Sequence, residues 1–174
     1  MVLAAGAATR FGSPKQRLLL PGVLERVRAS SVDDVVVVLG AHDLETDAPT
    51  VRAYDWERGP GASLRAGLDA LPAGTEAAVV VLADGPNLAS AAIDRVVEAW
   101  RADGSPVLAA SYGGVRGHPV LLARAVWPSV PDEGARALEP RLVPCDDLGA
   151  PGDVDSADDL ERGSISRFPA PPAE

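Results

Sequence analysis

The stretch Val2-Leu3-Ala4-Ala5-Gly6-Ala7-Ala8-Thr9-Arg10-Phe11-Gly12-Ser13-Pro14-Lys15 decides the reading of this chain. It opens as a short apolar run that stops at Gly6. Three later runs have the same character: residues 35–39, β-branched and ending at Gly40; residues 78–82, ending just before Asp84; and residues 107–110. Unbroken apolar runs suit strands buried on both faces, as in a parallel sheet. Helical patterns lie between them. Ile93, Val96, Val97 and Trp100 share one helical face with Ser90 placed to cap it, and Ser63 is placed to cap a helix carrying Leu64, Leu68 and Leu71. Strand and helix alternate, so the pattern predicts an α/β fold, a single three-layer α/β/α domain on a mostly parallel sheet. Ligands of such sheets bind beyond the carboxyl ends of the strands. The glycine-rich segment 6–15 and the turn at residues 84–87 therefore fall on one functional edge.

A chain of 174 residues holds one domain with a full core. We assign residues 1–165 to that domain and residues 166–174, with Pro169, Pro171 and Pro172, to a disordered tail. The net charge of −9 and pI near 4.7 argue against nucleic acid or a membrane surface as partner, since both require a basic face. No apolar run reaches the ~18 residues of a membrane span. Arg10 and Lys15 follow the first apolar run rather than precede it, unlike a signal peptide. Cys145 stands alone, which excludes an internal disulfide or a Cys-rich zinc site. The expectation is a cytoplasmic protein. An acidic protein that binds an anionic substrate must gather its cations locally or recruit a metal ion.

Small residues after a strand let backbone N–H groups approach an anion closely, and Arg10 and Lys15 add two cations to that loop. The same composition also makes an ordinary tight strand–helix turn with solvated cations. The loop lacks the Gly-Lys-Ser/Thr of a P-loop and the G-x-G-x-x-G of a dinucleotide fingerprint. It resembles the signature of the MobA-like nucleotidyltransferases, L-A-(A/G)-G-x-x-x-R-(F/M)-G-x-x-K, at every fixed position. The resemblance implies a Rossmann-like fold of the nucleotide-diphospho-sugar transferase type. It also implies a triphosphate held on Leu3, Ala4, Ala5 and Gly6, with Arg10 and Lys15 neutralising its charge and stabilising attack at the α-phosphorus. In that family L-A-G-G accompanies guanine nucleotides and L-A-A-G cytosine nucleotides. Ala5 thus implies CTP, a methyl there discriminating against a purine by roughly 1–3 kcal/mol.

Asp84 follows a buried apolar run and precedes Gly85-Pro86. That context suits either a simple turn or a carboxylate aimed into the ligand crevice. The segment is similar to the family's G-D-x-P, whose aspartate binds magnesium. Gly152-Asp153-Val154-Asp155-Ser156 resembles D-I-D-T-P, which implies Asp155, with Asp153 as second choice, as the other Mg²⁺ ligand. The rival reading is a helix start capped by Ser156, with Asp158 and Asp159 in its first turn. Asp55-Trp56 through Leu68 resembles D-W-x-x-G-M-S-S-S-L-R-A-G-L. Ser63 keeps the last serine as a nucleotide contact, while Gly61 and Ala62 replace the other two. Arg65 reads equally as a substrate cation or a surface residue. Tyr112-Gly113-Gly114-Val115-Arg116-Gly117-His118-Pro119 resembles Y-G-G-x-x-G-H-P, which implies Tyr112, Gly117, His118 and Pro119 on the acceptor side. The reading places His118 in a loop. Asp132-Glu133-Gly134-Ala135-Arg136 resembles D-x-G-A-R and implies Arg136 as an anchor for an anionic acceptor.

The resemblance is strongest to the molybdenum cofactor cytidylyltransferase branch. It implies an enzyme that moves CMP from CTP, with Mg²⁺, to the phosphate of molybdopterin and releases pyrophosphate. Arg10, Lys15 and Asp84 are its expected catalytic residues, and a molybdenum hydroxylase is a further partner the resemblance suggests. Two alternatives stay open: another phosphorylated acceptor of guanylyl- or sugar-phosphate type, and a non-catalytic nucleotide-binding or cofactor-delivery protein. The chain departs from the family between Lys15 and Val35. There Leu18-Leu19-Leu20-Pro21-Gly22 predicts only a shortened helix over about residues 23–30, and residues 42–49 are too short and acidic for a second helix.

Overall fold

The computed structural model describes residues 1–6 and 16–152. Arg10, Lys15, Asp153 and Asp155 lie outside the described residues. β1 (Val2–Ala4) forms on the first apolar run and pairs in parallel with β2 (Val37–Leu39) on one side and β4 (Ala77–Leu82) on the other. β3 (Thr50–Arg52) adds to β2, also in parallel. β6 (Val115–Ala123) runs antiparallel between β4 and β5 (Val107–Tyr112), and β7 (Arg141–Pro144) pairs in parallel with β5. The order is β3-β2-β1-β4-β6-β5-β7. From β1 the chain steps outward through β2 to β3, then returns to the other side of β1 with β4. The crevice at this reversal, between the ends of β1 and β4, is where such a sheet accepts a ligand.

Side-chain alternation sorts the core into two halves. Val79 and Val81 face α1 (Gln16–Arg28) and α3 (Ser90–Asp103), which contribute Leu20, Val23, Leu24, Val27, Ile93, Val96 and Val97. Ala78 and Val80 face the opposite layer, where α2 (Pro60–Asp69) contributes Leu64 and Leu68 beside Trp127 and Val130. The three-layer α/β/α expectation therefore holds. No helix among the described residues is long and apolar enough to cross a membrane.

Four local expectations are corrected. First, α1 is a 13-residue helix with Pro21 inside it, not a remnant over residues 23–30. A proline inside a helix costs about 3 kcal/mol. Leu20, Val23, Leu24 and Val27, each at most 3% exposed, offset it, since burying such a side chain contributes about 1.5–3 kcal/mol. Second, Ser63 does not cap α2: the helix begins at Pro60 behind Gly59, and Ser63 is buried in its first turn. Third, Ser90 opens α3 without a capping bond; its hydroxyl donates to the Arg26 carbonyl at 2.8 Å and fastens α3 to α1. Fourth, His118 lies in β6 rather than in a loop. Pro119, which has no N–H, is accommodated where the β5–β6 register shifts between Ala109 and Ser111. The expectation for residues 42–49 agrees with the structure, which has no helix there.

Candidate active site at the end of β4

The carboxyl ends of β1 and β4 border a cavity of about 350 Å³ lined by Leu3, Ala5, Gly6, Gln16, Trp56, Gly59, Pro60, Ser63, Leu82, Ala83 and Asp84. The sheet reversal brings together segments far apart in sequence: the end of β1, the 3₁₀ turn Trp56–Arg58 with the start of α2, and the residues after β4. Of the residues expected to hold the nucleotide, Leu3, Ala5, Gly6, Ser63 and Asp84 line this cavity. Ala4 does not. It points into the core beneath α1, as alternation along a strand requires. Ala5 lies against Gly40, and its carbonyl accepts a hydrogen bond from the Ala41 N–H at 3.2 Å. Gly6 and Gln16, the described residues that flank 7–15 in the sequence, both line this cavity. Asp84 is the one charged side chain among the described residues that line it.

The start of α2 differs from the family stretch for a steric reason. A Cβ on Gly61 would fall 1.9 Å from the Pro131 carbonyl oxygen, and the Gly61 N–H already donates to the Asp132 carbonyl at 2.9 Å. A serine has no room there, and that backbone donor is not available to a phosphate. Arg65 is likewise engaged: its guanidinium donates to the Val130 carbonyl at 2.8 Å and to Asp132 at 2.6 Å. It clamps α2 to the 130–132 segment, a role that neither of its two sequence readings described.

On the other side of β4 a larger cavity of about 620 Å³ is lined by Val81, Leu82, Gly85, Leu88, Tyr112, Val115, Arg116, Gly117, His118 and residues 150–152. Leu82 borders both cavities, and consecutive residues Asp84 and Gly85 face one each. The strands β5 and β6 supply the far wall. The Tyr112 hydroxyl donates to the His118 carbonyl at 2.9 Å, and burial pushes its phenol well above its ordinary pKa, so it remains a donor. The Tyr112 ring packs so close to Gly117 that a Cβ there would stand 2.9 Å from it. His118 Nδ1 lies 3.4 Å from the Val80 carbonyl oxygen.

Tyr112, Gly117 and His118, expected on the acceptor side, gather in one cavity. Pro119 is buried beside it without lining it, and Arg136 is exposed and outside its lining. Arg116, which occupies a variable position of the quoted motif, is the arginine that lines the cavity. Its guanidinium donates to the carbonyls of Ala135 and Leu138 at 2.7 Å each and of Arg136 at 3.2 Å. Partial burial lowers its pKa, opposed by Glu139, and an arginine so placed stays charged. Sequence reading also passed over Gln16. Its only signal was a polar residue opening a helix whose inner face is otherwise apolar.

Pro151 and Gly152 close over Gly85, with the Asn87 N–H donating to the Pro151 carbonyl at 2.9 Å. The described chain therefore reaches the turn after β4 one residue before Asp153. Among the described residues no group of three or more His, Cys, Asp or Glu is arranged to hold a metal ion. Asp84 alone still fits a magnesium-type ion, which takes one or two carboxylates and completes its shell with phosphate oxygens and water.

Residues 1–141 match the family described as the MobA-like NTP transferase domain. Among solved structures, the chain is similar to a homologue, from Mycobacterium sp. strain JC1, of the Mycobacterium tuberculosis protein Rv0371c. That likeness has 26% identity, covers 92% of this chain and 91% of that one, and has a TM-score of 0.76. It is similar to Rv0371c itself at 29% identity, over 92% of this chain and 94% of that one, with a TM-score of 0.75. A manganese complex of Rv0371c also matches, at 26% identity over 92% and 94% of the two chains, with a TM-score of 0.70. No curated protein matches the chain.

Proposed function

This chain belongs to the MobA-like NTP transferase domain family and is a nucleotidyltransferase, and we propose that it transfers CMP from CTP to the phosphate of molybdopterin. The observation that carries this reading is the pair of cavities on either side of the carboxyl end of β4, with Leu82 as their shared wall. CTP occupies the smaller one, against Leu3, Ala5, Gly6 and Ser63, with Arg10 and Lys15 on its triphosphate. The acceptor occupies the larger one, whose volume of about 620 Å³ is in the usual range for a cofactor-sized ligand. Tyr112, Gly117 and His118 shape that side, and Arg116 rather than Arg136 supplies its positive charge.

An acceptor phosphate oxygen attacks the α-phosphorus, a new P–O bond forms, and the bond to the β-phosphate breaks. Pyrophosphate leaves with the electron pair. The attacking phosphate is already ionised, so no protein base is required. Arg10 and Lys15 stabilise charge that accumulates on the α- and β-phosphates, and the two cavities fix the line of attack. Asp84, with Asp155 and with Asp153 as second choice, would hold Mg²⁺, which when bound neutralises phosphate charge. The manganese complex of Rv0371c supports a divalent ion in a relative of this fold. The nucleotide preference rests on Ala5. CTP with Mg²⁺ should raise the melting temperature more than GTP does, and Ala5→Gly should narrow that difference. An equal or larger shift with GTP would overturn the choice of CTP.

A further inference from the structure

Gln16 opens α1 and lines the nucleotide cavity, yet it is 6% exposed. Its amide orientation is fixed. Nε2 lies 3.2 Å from the Gly6 carbonyl oxygen, and a flipped amide would bring two acceptor oxygens together there. Oε1 is then the other end of the amide, and it is the buried side-chain oxygen or nitrogen among the described residues that has no hydrogen-bond partner. Buried acceptors are almost always satisfied, so an unsatisfied one on a residue that lines a ligand cavity marks a place for a ligand donor. Triphosphate oxygens only accept and cannot serve. The nucleoside half of an NTP does carry donors: the ribose hydroxyls and an exocyclic amino group.

We propose that Gln16 Oε1 accepts a hydrogen bond from the nucleoside portion of the substrate and makes Gln16 a specificity-determining residue. The inference rests on the nucleotide reading of this cavity. The Nε2 bond gives the same side chain a second task, since it ties Gly6 to Gln16. The two tasks have opposite signatures. Replacing Gln16 by Met keeps the volume and removes the open acceptor, so the nucleotide-free protein should melt no lower than wild type if the acceptor dominates.

The test is binding of CTP, UTP, 2′-deoxy-CTP and 3′-deoxy-CTP to wild type, Gln16→Met and Gln16→Leu, with melting temperatures in the absence of nucleotide. UTP lacks the amino group, and each deoxy analogue lacks one hydroxyl. Both variants should bind CTP about three- to tenfold more weakly than wild type. They should also bind CTP and the analogue lacking the relevant donor almost equally, which identifies that donor. Unchanged CTP affinity in the variants would overturn the inference. So would an equal loss on all four nucleotides, which would make Gln16 a tether or a metal ligand. If wild type itself bound none of the four, the nucleotide reading would fall and this inference with it.

Discussion

The Arg116 guanidinium bridges to the Leu138 carbonyl at 2.7 Å and so joins β6 to the segment that follows the 3₁₀ turn Gly134–Ala137. The same group holds Ala135 and Arg136 by their carbonyls. The same side chain lines the larger cavity, and Glu139 is the acidic group that acts on its charge. Arg116→Lys keeps a cation but cannot reproduce a planar fork across three carbonyls. We expect it to raise KM for the acceptor roughly tenfold while leaving KM for CTP near wild type. A change confined to CTP would place the acceptor elsewhere.

Asp84 stands at the partition between the cavities and is the expected metal ligand. Asp84→Ala should lower turnover by orders of magnitude and leave the melting temperature without nucleotide close to wild type. Asp155→Ala should weaken the dependence of rate on Mg²⁺ concentration in the same way. An ordinary Mg²⁺ titration in Asp155→Ala would remove it and turn attention to Asp153.

Gly61 tests the packing of α2 against the 131–134 segment. Its added Cβ would meet backbone rather than a flexible side chain, so Gly61→Ala should cost about 1–3 kcal/mol. In a protein of this size that lowers Tm by roughly 2–4 °C per kcal/mol. Thermal unfolding followed by circular dichroism reads the change. An unaltered Tm would show that the 131–134 segment gives way freely.

The extent to which sequence disclosed this structure follows from burial. β1, β2, β4 and β5 are legible because each is enclosed on both faces and reads as an unbroken apolar run. β3 and β7 are sheet edges with half-exposed faces, and Arg52, Arg141 and Pro144 interrupt any such run. β6 is central, but Gly117 and Pro119 carry the signals of a turn. α1 was shortened because Pro21-Gly22 reads as a break, and only the tertiary burial of Leu20 through Val27 overrides it. In the site, the small residues after β1 and the aspartate after β4 were legible as strand-end features. Arg116 and Gln16 were not. Their significance comes from three carbonyls on another element and from one open acceptor, which no spacing encodes.

The Arg95–Asp147 ion pair adds a small acid-sensitive contribution to stability. Arg95 on α3 grips Asp147, after β7, through two bonds of 2.6 and 2.9 Å. The guanidinium holds the Asp147 carboxyl below its ordinary 3.8, at about 2. The folded pKa is depressed, so its contribution is present above the ordinary value and is lost as pH falls through about 2. Asp147→Asn should therefore flatten the fall of Tm between pH 3.8 and about 2. The pair is exposed, so the effect is small. An identical acid profile would mean that the bridge adds nothing.

Turnover would join the two cavities: CTP in one, a phosphorylated acceptor in the other, and pyrophosphate released between them. The most direct measurement is continuous pyrophosphate release by the wild-type protein with CTP, Mg²⁺ and molybdenum-bearing molybdopterin, with each component omitted in turn. Release should need all three, run faster with CTP than with GTP, and drop about 10²-fold or more in kcat for Lys15→Ala. Binding of CTP without pyrophosphate release, with this or any other phosphorylated acceptor, would contradict it.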